Sequence, residues 1–293
     1  MDGLQMRVDS VGLLEVNTAE HSTKLYLDLM KQCLTRAMFP EASRPASMNP
    51  AVRATPGAFT LYSLLKRVLN VFHLELSWTF DPALRAKGLD WPVEAETMIG
   101  LGRLQNIEDC VVDVLRNNVP GDLIETGVWR GGACIFMRSI LRVYGDERRT
   151  VWVADSFEGL PAPDGRYAQD TGDKHSEFAD VLAVSLEQVQ ANFKRYGMLD
   201  EQVKFLKGWF KDTLPAAPIQ KLAIMRLDGD MYSSTMDGLV NLYPKLSLGG
   251  YAIIDDYHAV PACRQAVDEY RAANGIVEPI REIDGSGVFW QRS

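Results

Sequence analysis

Cys-x-x-Cys pairs are missing from this chain. Its four cysteines, Cys33, Cys110, Cys134 and Cys263, are scattered over 293 residues. That spacing excludes a zinc knuckle or a disulfide frame and predicts reduced, mostly buried thiols in a cytoplasmic protein. An excess of basic charge is also lacking: 31 Lys and Arg stand against 39 Asp and Glu, a net charge of −8. A phosphate-binding surface is therefore not expected, and nucleic acid is not an expected partner. Long hydrophobic runs are absent too. The most apolar stretch, Phe59 to Phe80, is interrupted by Lys66, Arg67, His73 and Glu75, too many polar groups for a membrane span of about 20 residues. Met1 to Asn17 mixes charged with apolar residues and has no hydrophobic core of the kind a signal peptide needs. No stable membrane insertion is expected, and no repeat or low-complexity segment interrupts the chain.

What is present is an ordinary globular composition, 46% apolar and 24% charged, on a chain long enough to bury a full core. The first ninety residues read as a helical extension. Thr18–Met38 spaces Leu25, Leu29 and Cys33 as a helix face, and Pro40–Pro56 breaks the pattern. Ala58 to about Leu76 predicts a second helix with Leu61, Leu64, Leu65, Val68 and Phe72 in one stripe. The stripe is expected to be core or subunit contact in a homo-oligomer, with a lid or membrane-surface helix as alternatives. A third helix is predicted over Ala95–Asn117.

From Gly121 onward strands alternate with helices. Strands are predicted at Asp122–Glu125, Thr150–Asp155, Val203–Lys207, Leu222–Leu227 and Tyr251–Ile254, and helices at Gly132–Tyr144, Leu186–Tyr196, Ser234–Leu246 and Pro261–Ala273. Ile280–Ile283 and Gly287–Gln291 form a closing hairpin through Asp284-Gly285-Ser286. Such alternation implies an α/β fold, a doubly wound and mainly parallel seven-stranded sheet with an antiparallel last strand at its edge. The expected organisation is an extension over residues 1–90 and a catalytic domain over 91–293.

Ligands of these folds bind at the carboxyl ends of the strands, and acids gather there. Asp228 follows Leu227, and Asp255 and Asp256 follow Ile254. Two such charges about 4 Å apart repel by roughly 4 kcal/mol at an effective dielectric near 20, so the cluster points to a divalent cation. Oxygen ligands without histidine or thiolate suit Mg²⁺. Asp255 and Asp256 can serve one ion only where their strand unwinds. Asp230 is expected to cap the helix near Ser233 and Ser234. His258, on the same loop as Asp256, is a candidate base, and His175 in the polar loop Gly159–Asp180 carries less weight.

Two further features sit at strand ends. Glu125-Thr-Gly127-Val-Trp-Arg130-Gly131-Gly132 runs from strand through a glycine turn into a helix whose N–H groups could meet a ligand. It is not a Gly-x-Gly-x-x-Gly fingerprint, and Glu125 would repel a pyrophosphate while welcoming an ammonium group. Asp155, at the tip of the next strand, is placed to accept from both hydroxyls of a ribose. Gly208-Trp209-Phe210 offers an aromatic wall for a purine.

These segments together resemble the macrocin-type (TylF/MycF) O-methyltransferases over roughly Trp91 to Trp290. The likeness is carried by Thr97-Met-Ile-Gly-Leu-Gly-Arg-Leu, Gly121–Cys134, Val151–Pro161, Phe205–Pro215, Arg226–Asp237 and Gly249–Tyr257. It implies a class I methyltransferase fold, S-adenosylmethionine and Mg²⁺ as cofactors, and an acceptor hydroxyl on the sugar of a natural-product glycoside. It also implies that Glu125, Gly127, Arg130, Gly131 and Gly132 hold the methionine part of the methyl donor. Asp155 would take the ribose with Ser156 beside it, and Gly208 with Trp209 would flank the adenine. Asp228, Asp255 and Asp256 would be metal ligands, Asp228 doubling as base. Catechol-type relatives place a lysine three residues after the first ligand; Met231 stands there in this chain. Two stretches depart from the family pattern, Pro40–Leu89 and Gly159–Ala183, and both are expected to shape the acceptor pocket. The alternatives are a phenol or other non-sugar acceptor, an NAD-dependent oxidoreductase suggested by the turn and Asp155, and an inactive interaction subunit in which the acids merely cap helices.

Overall fold

Leu222–Leu227 buries every side chain, and a strand buried on both faces must lie inside a sheet covered from both sides. The computed structural model describes residues 5–39, 44–45, 56–74, 76–78, 80–163 and 165–293, and in it this strand is central. The chain runs α1 (Gln5–Leu34), β1 (Arg44–Pro45), α2 (Pro56–Val71), β2 (Ser77–Trp78), α3 (Pro82–Ala86), α4 (Gly100–Arg116), β3 (Asp122–Thr126), α5 (Gly132–Val143) and β4 (Val151–Asp155). It continues through α6 (Ala179–Leu182), α7 (Leu186–Arg195), β5 (Val203–Lys207), α8 (Phe210–Thr213), β6 (Leu222–Leu227) and α9 (Tyr232–Leu242). β7 (Leu246–Ile254), α10 (Pro261–Ala273), β8 (Arg281–Glu282) and β9 (Val288–Gln291) complete it.

Seven strands form one sheet in the order β5-β4-β3-β6-β7-β9-β8. β3 to β7 are parallel, and β9 runs antiparallel to both β7 and β8. One face carries Leu123, Val151, Val153, Val203, Ile224 and Ile253 under α4, α5 and the last turns of α1, where Leu27, Met30 and Leu34 join the same core. The other carries Ile124, Ala154, Met225, Ala252 and Ile254 beneath α9 and α10. Each fully buried Leu or Ile contributes about 1.5–3 kcal/mol, so the alternation of sides along each strand makes the register costly to slip.

Several boundaries differ from expectation for local reasons. The helix expected over Ser234–Leu246 stops at Leu242, because Pro244 lacks the N–H a further turn needs. α1 ends at Leu34 rather than Met38, with Arg36 in the left-handed region at φ 55°. The last strand is not at the edge: β9 inserts between β7 and β8, and Val288 and Trp290 are fully buried there. The exposed two-residue β8 closes the sheet, a short charged edge that resists further pairing. The α2 stripe is not core, since Leu61 (67%), Leu64 (61%) and Val68 (53%) face solvent in the single chain. Apart from Arg44, Pro45 and Pro56, the expected break over Pro40–Pro56 lies outside the described residues.

The chain winds from β3 outward through β4 and β5, then returns to β6 on the other side of β3, opening the crevice where ligands of such folds bind. Gly127 sets its width. At φ +82°, a Cβ there would lie 1.7 Å from the carbonyl oxygen of Asp228. Gly127→Ala should therefore lose about 2–5 kcal/mol in urea unfolding, from left-handed strain plus overpacking. Gly145→Ala, also at positive φ but in open space, should lose only about 1–2 kcal/mol. Equal losses would refute the close approach as the reason for glycine at position 127.

Candidate active site

At the carboxyl ends of β3, β4 and β6 three non-glycine residues, Trp129, Phe157 and Asp230, hold positive φ of 47°, 59° and 55°. Each costs on the order of 1–3 kcal/mol, and such strain gathers at functional sites. These turns border a cavity of about 550 Å³, a size suited to small-molecule ligands.

The acids enclose a buried cation. Arg226, on β6 and fully buried, donates to Glu125 of β3, to Asp228 Oδ2 at 2.8 Å and to Asp255 beyond β7. Arg103 of α4 donates to the other oxygen of Asp255 and lies 3.0 Å from Asp284. The chain leaves β7 at Ile254, so Asp255 and Asp256 turn to the same side as expected: ligand oxygens of Asp228, Asp255 and Asp256 lie within 4.8 Å of one another. With Glu125, Asp230 and Asp284, six carboxylates surround two guanidiniums, a formal excess of four negative charges. Burial and the neighbouring Asp255 hold the Asp228 carboxyl well above its ordinary range, and burial with Asp230 does the same to Asp256. Burial also raises Glu125 against the pull of Arg226. A hard divalent cation reverses such shifts, and an all-oxygen donor set fits Mg²⁺.

Asp230 does not cap α9. The first N–H groups of that helix, from Tyr232 and Ser233, donate at 2.9 Å to Asp170 on the loop after β4. Asp230 instead lines the cavity, half-buried, and no described residue donates a hydrogen bond to its carboxylate. Burial pushes it up to about 6, with His175 pulling back. His175 lies in the cavity wall, and His258 does not. The ring of His258 turns toward Glu282, 3.6 Å away on the exposed edge strand, which removes it from the position of a base.

The cavity is also lined by Thr97, Met98, Trp129, Asp155, Ser156, Trp209 and Phe210. Asp155 accepts from the Val128 and Phe157 N–H groups at 2.7 Å each, latching two turns together. A carboxylate oxygen accepts more than one hydrogen bond, so a ribose remains a compatible ligand. Glu125 and Gly127 line the cavity, but both oxygens of Glu125 are engaged, by Arg226 and by the Cys134 thiol. Arg130, Gly131, Gly132 and Gly208 do not line it. The Arg130 guanidinium reaches the Ala95 carbonyl at 2.9 Å and stacks on Trp129. A Cβ on Gly131 would strike Val189 at 2.8 Å, and one on Gly132 the Glu96 carbonyl at 2.5 Å, so these glycines serve packing. Gly208 has Thr213 at 2.8 Å in the same sense. The Gly132 N–H donates to Glu96 and is not left for an anion.

The sequence profile of the macrocin O-methyltransferase family (TylF) matches residues 23–292. The 8-demethyl-8-(2,3-dimethoxy-alpha-L-rhamnosyl)-tetracenomycin-C 4'-O-methyltransferase of Streptomyces olivaceus is 51% identical over 275 residues, 94% of this chain and 95% of its own. The demethyldecarbamoylnovobiocin O-methyltransferase of Streptomyces niveus is 58% identical over 217 residues, 73% of this chain and 82% of its own. The solved structure of the O-methyltransferase NovP superposes with a TM-score of 0.78 at 50% identity, covering 92% of this chain and 99% of that one. The chain belongs to the macrocin O-methyltransferase family; it is an S-adenosylmethionine-dependent O-methyltransferase of class I fold.

Removing one partner of a buried ion pair strands the other, at about 3–5 kcal/mol. Arg226→Met should lose that much stability in urea unfolding, or more, because it strands three carboxylates. A loss under about 1 kcal/mol would show that Arg226 does not hold the acids together.

Proposed function

We propose that this methyltransferase acts on a sugar hydroxyl of a natural-product glycoside, with Mg²⁺ held by Asp228, Asp255 and Asp256. The cluster of three carboxylates beside the strand-end crevice is the observation that carries this reading. A relative named for 4'-O-methylation of a rhamnosyl group supports the sugar. So does Met231, buried where a catechol-type enzyme would present a lysine. Against the methyl donor, Trp209 and Phe210 would face the adenine, Asp155 and Ser156 the ribose, and Glu125, Gly127 and Trp129 the methionine end.

A sugar hydroxyl holds its proton too tightly to be a good nucleophile at neutral pH. Bound at the three aspartates, Mg²⁺ would supply the positive charge that polarises the hydroxyl and orients it. Asp228 is tied to Arg226 and suits a ligand better than a base. The carboxylate of Asp230, facing the cavity without a donor, takes the hydroxyl proton in this reading. Trp129, Trp209 and Phe210 restrict water around the sulfonium, and the walls hold oxygen and methyl near contact distance, from which much of the rate derives.

Residues 1–90 are read as a helical extension of the methyltransferase domain at 91–293. The exposed apolar side chains of α2 support its burial in a homo-oligomer. Among the described residues no helix is long and apolar enough to cross a membrane, and a cytoplasmic site of action is proposed. The acidic net charge supports a small-molecule acceptor over nucleic acid.

Labelled methyl from S-adenosylmethionine should pass to glycosides in a panel of glycosides and phenols, and calorimetry should show tight binding of S-adenosylhomocysteine and none of NAD. Asp228→Asn and Asp256→Asn should each lose at least about 10²-fold in turnover while keeping S-adenosylhomocysteine affinity. Mg²⁺ should raise the melting temperature of the parent protein and not of Asp228→Asn. Full activity in EDTA-treated protein would overturn the metal site, and labelled phenols with untouched glycosides would overturn the sugar.

A further inference from the structure

Asp255 and Asp256 stand just past the end of β7, where the strand no longer dictates which way a side chain points. Their aim must be set from elsewhere. The turn between β8 and β9 reaches back over this segment. Ser286 Oγ donates to the Asp255 carbonyl at 2.8 Å, and the His258 N–H donates to the Ser286 carbonyl at 2.9 Å. Ser286 also lines the cavity. The loop that carries both acids is thus stitched at two points to a turn 31 residues further along the chain.

Asp284 divides two tasks between its two oxygens. Oδ1 accepts from the Ser286 and Gly287 N–H groups at 2.8 Å each, the ordinary way an aspartate closes a turn. Oδ2 is not needed for that. It lies 3.0 Å from Nε of Arg103, whose Nη1 donates to Asp255 Oδ2. Gly287 leaves room for the buried arginine: a Cβ there would lie 3.3 Å from Arg103 Cδ. One guanidinium therefore bridges the Asp255 carboxylate and an aspartate of the hairpin turn. An Asp that served the turn alone would have no reason to face a buried arginine with its second oxygen. The charges explain the use of the bridge. Asp255 carries a guanidinium on each oxygen, Arg226 on Oδ1 and Arg103 on Oδ2. A carboxylate so paired has little field left for a cation. Asp284 draws Arg103 partly to itself and adds its own negative charge.

We propose that Asp284 and Ser286 are positioning residues for the metal site. Ser286 fixes the backbone of Asp255, and Asp284 holds Arg103 and limits how far it neutralises the Asp255 carboxylate. Neither residue is a ligand; each acts through Asp255, as outer partners of metal ligands do. The proposal rests on the reading of Asp228, Asp255 and Asp256 as the Mg²⁺ ligands.

The test is a calorimetric Mg²⁺ titration of the full chain. Asp284→Asn keeps an oxygen for the Ser286 and Gly287 N–H groups and removes the charge that faces Arg103, so it separates turn from charge. It should bind Mg²⁺ at least about tenfold more weakly than the parent. Its melting temperature in EDTA should stay within about 3 °C of the parent, with S-adenosylhomocysteine affinity unchanged. In the methylation assay the Mg²⁺ concentration for half-maximal rate should rise by the same factor, and saturating Mg²⁺ should return kcat to within about twofold. A merely structural defect would lower the rate at every Mg²⁺ concentration. Ser286→Ala should weaken Mg²⁺ by about three- to tenfold, and it carries the test if Asp284→Asn does not fold. Parent-like Mg²⁺ affinity in Asp284→Asn, or in Ser286→Ala where that variant carries the test, would overturn the positioning role and leave the metal site standing. A parent protein that binds no Mg²⁺ would overturn the metal reading beneath it, and this role with it.

Discussion

One buried guanidinium holds the site together. Arg226 has no exposure and bonds to carboxylates from three neighbouring segments, Glu125 on β3, Asp228 at the end of β6 and Asp255 at the end of β7. An isolated charge at that depth would be untenable, and so would the acids without it. Their mutual requirement ties the register of three strands to the geometry of the site. A slip of either β3 or β7 against β6 would leave a charge unpaired. Arg103 extends the same logic to α4, anchoring the helix at the cavity wall through Asp255.

That arrangement divides labour among residues that look alike. Asp228 and Asp255 are engaged with guanidiniums, and Asp256 accepts the Asp230 N–H at 3.3 Å. Asp230 alone of the four aspartates keeps its carboxylate free of donors, in a left-handed turn that aims it into the cavity. The helix-capping duty that Asp230 would otherwise perform is taken over by Asp170 from a distant loop. In the proposed reading, the acid that takes the hydroxyl proton is freed by a loop contact 62 residues away in sequence.

Much of the fold was legible because period-2 and buried strand runs, glycine turns and a first-turn proline each have one favoured local structure. β5, β6 and α10 match their expected bounds in full. The failures are tertiary. Pro244 shortened one helix, and β9 went inside the sheet because Trp290 needed cover that an edge position lacks. In the site, the three aspartates were readable from adjacency and strand ends, and so were Asp155 and Trp209. His258 and Arg130 misled because sequence neighbourhood does not fix side-chain direction: one ring follows Glu282, the other guanidinium follows the Ala95 carbonyl. Arg226 could have been found, since an arginine inside the apolar run Leu222–Leu227 demands buried partners. His175 carried little weight in the sequence, because its place in the cavity wall depends on a loop fastened by contacts no periodicity encodes.

In the proposed reading, the charge balance favours a cation over protons at the site. Two guanidiniums offset part of the negative charge of six carboxylates, enough for the chain to fold but not to neutralise the cluster. Protonation could remove the remainder, and the raised carboxyls of Asp228 and Asp256 show that tendency. A neutral acid, however, neither polarises a hydroxyl nor competes for its proton. A divalent cation leaves the carboxylates ionised and adds the field that a proton would cancel. Full internal compensation by further arginines would have left no unpaired charge to do chemistry. The unpaired excess, placed at the mouth of a crevice between β3 and β6, is what separates a structural ion network from a site that can act on an acceptor.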